Sequence, residues 1–171
     1  LEELGLGTED TRDAAVALPA AAERKKTFKV IIIGAGMSGI LAAIRLDQAG
    51  IPYEVIEKNA DVGGTWFENT YPGCRVDSPN HLYSYSFEPN HDWPQHYSTQ
   101  DVLLSYFRNC ADKYGIRKNV RFQTEVVRAD FDEDSQVWRV KVKGPDGRED
   151  SIIADAMISA VGQLNRPRYP E

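Results

Sequence analysis

The run Lys-Val-Ile-Ile-Ile-Gly-Ala-Gly-Met-Ser-Gly (Lys29–Gly39) narrows the folds open to this 171-residue chain more than any other stretch. A β-branched run ending in glycine has the stiff, doubly apolar character of a buried parallel strand. Gly34, Gly36 and Gly39 follow at the spacing Gly-x-Gly-x-x-Gly, and Ile40, Leu41 and Ile44 then recur with helical period. The pattern predicts a strand over Phe28–Ile33, a helix over Ser38–Ala49 stopped by Gly50, and a second strand over Tyr53–Ile56. Such a unit is a nucleotide cradle for physical reasons. The first glycine permits a tight turn, the second lets backbone approach a pyrophosphate, and the third lets helix and strand pack closely. The helix N-terminus adds free N–H groups and the positive end of its dipole. Glu57 closes the second strand, where a carboxylate accepts hydrogen bonds from ribose hydroxyls.

Residues 59–97 are rich in Gly, Pro, Asn and aromatics and predict a long ordered loop region, a feature usually kept for function. Ser98 is expected to cap a second helix, with Val102, Leu103, Tyr106, Phe107, Cys110 and Tyr114 at helical spacing and Gly115 ending it. Strand-like segments follow over Arg121–Phe131, Gln136–Lys143 and Glu149–Ala154, with a turn at Gly144–Gly147. Their alternation predicts an antiparallel meander. Asp155–Ala160 reads as a last buried strand running into Val161 and Gly162. The order describes an α/β domain with a parallel sheet, preceded over residues 1–27 by a lead-in helix or linker.

Composition excludes several classes. With 20 Lys and Arg against 26 Asp and Glu, the net charge is −6, and the basic residues are too scattered to make a nucleic-acid footprint. No apolar run approaches the roughly 18 residues of a membrane span, and the N-terminus has no signal-peptide pattern. Cys74 and Cys110 form no paired motif, so a reducing cytoplasm is the expected compartment. His81, His91 and His96 fit no zinc spacing and are expected as solvent-facing or hydrogen-bonded loop residues, so no metal site is expected. Cys74, Tyr85 and Phe87 are expected in packing roles. A start without Met and a stop straight after a strand-and-turn signal suggest a portion of a longer enzyme.

The glycine triplet alone does not choose between a nicotinamide and a flavin dinucleotide. The stretch "EKNADVGGTW" (Glu57–Trp66) does. Gly63 and Gly64 let a second piece of backbone come close to a ligand. Thr65 brings a hydroxyl, and Trp66 a large flat side chain to wall off the far end. A flavin that stays bound and shielded from water needs this second wrap more than a nicotinamide cofactor that leaves at every turnover. Here the chain resembles the flavin-dependent class B monooxygenases, whose first motif continues through Gly-Gly-x-Trp. "NTYPGCRVDSPNHLYSYSF" (Asn69–Phe87) is similar to the Baeyer–Villiger monooxygenases, and within them to the 4-hydroxyacetophenone monooxygenase group. "ISAVGQLNRPRYPE" (Ile158–Glu171) resembles that family's second glycine motif, with Val161 and Asn165 where Thr and Ser are common.

The resemblance implies a Rossmann-like FAD-binding domain: a parallel sheet with helices and an antiparallel β-meander crossover. Residues 28–171 would be its N-terminal part, with the remaining FAD domain and an NADP domain downstream. The implied activity is NADPH- and O2-dependent insertion of oxygen next to a ketone carbonyl through a C4a-peroxyflavin, giving an ester or lactone. Gly34, Gly36, Ser38 and Gly39 would hold the FAD pyrophosphate, Glu57 the adenosine ribose, and Lys58 would lie near the adenine. Gly64, Thr65 and Trp66 would run along the ribityl and isoalloxazine end, with Tyr83 on the flavin side and Gly162 in the second glycine motif. Val127 would meet the adenine through its backbone. Arg75, Val76 and Asp77 would touch NADP, with Asp77 facing a catalytic arginine from the NADPH domain.

Asp77 has an independent physical rationale. An arginine stabilises an anionic peroxide, and a carboxylate positions the arginine and keeps it from being an isolated buried charge. The residues alone equally allow Asp77 to cap the turn into Ser78-Pro79-Asn80. N- or S-oxygenating class B enzymes share the glycine motifs but lack "YPGCRVD". A non-catalytic flavin- or NADP-binding redox module is the alternative outside enzymes. Neither the identity of the ketone, aromatic or not, nor a homodimer is decided by these residues, and the segment alone is expected to be inactive.

Overall fold

The computed structural model describes residues 28–163 and 169–170. The lead-in expected over residues 1–27, and Asn165 in the second glycine motif, lie outside the described residues. The elements run β1 (Val30–Ile33), α1 (Met37–Gln48), β2 (Tyr53–Ile56), the single turn α2 (Thr65–Glu68) and α3 (Gln100–Lys113). A 3-10 turn (Ile116–Asn119), β3 (Val120–Arg121), β4 (Glu125–Asp132), β5 (Val137–Lys143), β6 (Glu149–Ala154) and β7 (Ala156–Ser159) follow.

β1 pairs in parallel with both β2 and β7, and β2 with β3, giving the strand order β3-β2-β1-β7. β4, β5 and β6 form a separate antiparallel sheet. The near-continuous apolar sequence of β1 follows from its position between two layers. Val30 and Ile32 point into a core shared with Ile40 and Ile44 of α1 and Leu103 and Phe107 of α3. Ile31, on the opposite face, packs with Ile56, Val140, Val142 and Ile152 beneath the meander. The sheet is thus covered by helices on one side and by the meander on the other. Among the described residues no helix is long and apolar enough to cross a membrane.

Two expectations are corrected. The single strand expected over Arg121–Phe131 is two, because its first residue, Arg121, joins the parallel sheet beside β2 together with Val120. The break falls at Gln123, whose φ is +51°. The Gln123 N–H donates to the Asn59 carbonyl and the Thr124 N–H to the Glu57 carbonyl, both at 2.9 Å, so the loop after β2 holds the bend. Glutamine is not the residue that ordinarily marks a left-handed turn, which is why the alternation concealed it. Ser98 does not cap α3 either. Thr99 occupies the cap position, and Ser98 is fully buried against Asn80 instead.

Candidate dinucleotide site

The site is built where the C-terminal ends of β1 and β2 meet the start of α1. The Gly34 N–H donates to the Ile56 carbonyl at 2.8 Å, which seats the turn on the neighbouring strand. Gly39 is required for a steric reason: a Cβ there would lie 1.9 Å from the Gly34 carbonyl oxygen. No side chain caps α1, and its first turn holds no acidic residue. The positive end of such a helix suits an anionic group, and Ser38 is exposed on that turn.

Ala35 is the pivot of the cradle. Its N–H donates to Glu57 Oε2 at 2.6 Å, and its carbonyl accepts the Gly63 N–H at 2.9 Å. Glu57 is buried, and its other oxygen accepts the Asn59 N–H at 2.8 Å. Two backbone donors satisfy the buried carboxylate while leaving acceptor capacity on each oxygen. The second glycine turn closes on the first. Gly64 has φ +53°, and a Cβ on it would lie 2.9 Å from Gly36 Cα. The two glycine loops predicted from separate stretches therefore make backbone-to-backbone contact.

Trp66 is buried behind that turn, and its Nε1–H donates to the Tyr83 hydroxyl at 3.2 Å, the two rings meeting edge to face. Thr65 is exposed. Lys58 pairs with Glu68 of α2 at 2.9 Å. In the following segment Val76 is buried while Arg75 and Asp77 are exposed, the alternation of an extended chain. Arg75 bridges to Thr99, and the Val76 N–H donates to the Ser98 carbonyl at 3.1 Å. Val127 sits at the point where the β4–β5 register skips a residue, so the ladder passes it by. Ala160 and Val161 follow β7 close to Gly34, and the next residue, Gly162, has φ +72°.

A family model described as NAD(P)-binding Rossmann-like domain matches residues 32–99. The chain is 41% identical over 145 residues to a Baeyer-Villiger monooxygenase of Streptomyces coelicolor, covering 84% of this chain and 27% of that protein. The solved structure of OTEMO in complex with FAD and NADP superposes with a TM-score of 0.76 at 35% identity, over 84% of this chain and 27% of that one. An oxidized steroid monooxygenase bound to NADP gives a TM-score of 0.72 at 34% identity, over 83% and 27%. The chain is homologous to one segment of the Baeyer–Villiger monooxygenases. It spans about a quarter of the length of the curated relatives it matches.

Within the matched segment the structure adds three residues that sequence reasoning missed. Asn80 is fully buried. Its Nδ2 donates to Ser98 Oγ at 2.7 Å and to the Gln95 carbonyl at 2.6 Å, and its Oδ1 accepts the Ser98 N–H at 2.9 Å. Asp61 accepts from the Val62 N–H at 2.8 Å, from Arg108 at 2.7 Å and from Arg117 at 2.6 Å, anchoring the second glycine turn to α3 and the 3-10 turn. Gln100 donates from its side chain to the Trp66 carbonyl. Apart from the adjacent Val62 N–H, these partners lie far along the chain from the residue they hold, so the pairs leave no local sequence signal. The loop histidines take the exposed positions anticipated for them, with the His81 and His96 rings 6.3 Å apart. Tyr85 is buried, stacks on Phe87 at 5.0 Å and donates to the Met37 carbonyl at 2.6 Å.

Proposed function

We propose that this chain is the FAD-binding portion of an NADPH- and O2-dependent Baeyer–Villiger monooxygenase. The observation that carries the proposal is the meeting of the two glycine turns, with Glu57 on one flank and the uncapped end of α1 on the other. That arrangement fits a dinucleotide, because bare backbone and helix N–H groups suit a pyrophosphate and a buried, partly satisfied carboxylate suits ribose hydroxyls. Gly34, Gly36, Ser38 and Gly39 would hold the pyrophosphate and Glu57 the ribose. Lys58 and the Val127 backbone would flank the adenine, and Gly64, Thr65, Trp66, Tyr83 and Gly162 the flavin side.

The net reaction converts ketone, O2, NADPH and a proton into ester or lactone, NADP+ and water. FAD, when bound, would supply the redox chemistry that links NADPH to oxygen. The chain's own residues bind, orient and shield. Buried Trp66, held by Tyr83, would screen the flavin end from water. The Arg75–Asp77 segment offers NADP an exposed cation, and its exposed carboxylate can pair with an arginine from the rest of the enzyme. The resemblance to the 4-hydroxyacetophenone group makes an aromatic ketone the first substrate to try.

The test uses the full-length protein supplied with NADPH in an oxygen electrode, with and without 4-hydroxyacetophenone. Ester formed in equal amount to the oxygen consumed supports the reading. Hydrogen peroxide release indifferent to ketone would leave a flavoprotein that is not a monooxygenase. Absence of flavin binding would remove both conclusions.

A further inference from the structure

Gln100, the first residue of α3, touches both halves of the candidate site. Its backbone N–H donates to the Cys74 carbonyl at 2.9 Å, and its side-chain amide donates to the Trp66 carbonyl. Cys74 leads directly into Arg75–Asp77, and Trp66 lies in α2, directly after the second glycine turn. The residues just before Gln100 hold the same segment, with Thr99 bridging Arg75 and the Ser98 carbonyl accepting from Val76. The helix behind them is a packed element, with Leu103 and Phe107 fully buried. Its Leu104 side chain also lies where a Cβ on Gly63 would be, so the glycine turn rests on α3 at two points.

We infer that Gln100 is a positioning residue that couples the flavin-side turn to the Arg75–Asp77 segment, so that FAD occupancy and NADP+ affinity are linked through it. The inference rests on the function proposed above. A rigid helix start bonded to both segments cannot let one move without displacing the other. A ligand that fixes the Trp66 carbonyl thereby fixes the Gln100 amide, and with it the backbone bond to Cys74. The coupling is reciprocal: whatever factor FAD contributes to NADP+ binding, NADP+ contributes to FAD binding.

The experiment titrates NADP+ onto the full-length protein with and without FAD. The unsubstituted protein is expected to bind NADP+ about tenfold more tightly when FAD is present, within the usual range of such couplings. Gln100→Met, close in length and helix propensity but without a donor, is expected to bring that factor to about twofold or less. Gln100→Glu, whose carboxylate accepts but does not donate, should do the same. NADP+ affinity without FAD should stay near that of the unsubstituted protein, which a merely structural role would not produce. A coupling factor unchanged in both variants, or a factor of one in the unsubstituted protein with FAD bound, overturns the inference. Failure of that protein to bind FAD at all overturns the functional proposal instead. Should the variants not fold, hydrogen exchange on the unsubstituted protein decides. FAD should slow exchange at the Val76 and Gln100 N–H groups, and unchanged exchange there overturns the inference.

Discussion

At the scale of single residues, the cradle depends on atoms that are not there. Gly39→Ala would place a methyl 1.9 Å from the Gly34 carbonyl, against backbone that cannot yield without separating α1 from β1. The loss is expected at about 2–4 kcal/mol or outright failure to fold, measured by urea denaturation. Gly64→Ala is milder for the fold but should be more costly for the ligand. It adds a left-handed strain of about 1–2 kcal/mol and pushes on Gly36. FAD affinity should fall at least about tenfold in a fluorescence titration while most of the fold survives, and unchanged affinity would separate this turn from the cofactor. Glu57→Gln replaces one acceptor oxygen with a donor facing a backbone N–H, either that of Ala35 or that of Asn59. One N–H is then left unpaired, and a stability loss of about 1–3 kcal/mol is expected even without ligand.

At the scale of elements, α3 organises the loop region. Its Arg108, with Arg117 of the 3-10 turn, grips Asp61 ahead of the second glycine turn. Partial burial pushes the Asp61 carboxyl upward, but the bonds from Arg117, the Val62 N–H and Arg108 outweigh it and hold the carboxyl below its ordinary value. A carboxyl depressed on folding contributes stability that is present above its unfolded value, near 3.9, and lost as pH falls through the folded one. Unfolding midpoints should therefore decline below about pH 4. Asp61→Asn should lower the midpoint at neutral pH and flatten that decline. An Asp61→Asn profile parallel to that of the unsubstituted protein would show the network to be energetically idle. The antiparallel meander is tied to the other face of the sheet through Ile31, Ile56, Val140 and Ile152.

At the scale of the whole chain, both cysteines are buried, and burial raises the Cys110 thiol to about 11, with Tyr106 and Lys113 opposing the rise and the nearby Glu88 carboxylate adding to it. A thiol reagent at neutral pH should react with Cys110 only after denaturation. Prompt labelling of the native protein would mean that α3 opens readily. The cradle itself was legible in the sequence, because its demands are local. A strand, a turn that only glycine fits and a helix write themselves into a short run of consecutive residues, as they do over Val30–Ala43, and Glu57 follows at the end of the next strand. Gly63 and Gly64 were equally visible as a second turn. What no local pattern could show is that Gly64 would rest on Gly36, that Ser98 would leave the helix cap for Asn80, or that Gln123 would turn one expected strand into two in different sheets. Those choices were made by partners brought together from distant positions, and their contacts form only when the three layers pack. The residues of this chain determined a strand, glycine turn and helix whose bare backbone suits a dinucleotide. Its tertiary structure decided how the two glycine turns and the Arg75–Asp77 segment are held as one site, because hydrogen bonds between separate elements have no address in the sequence around them.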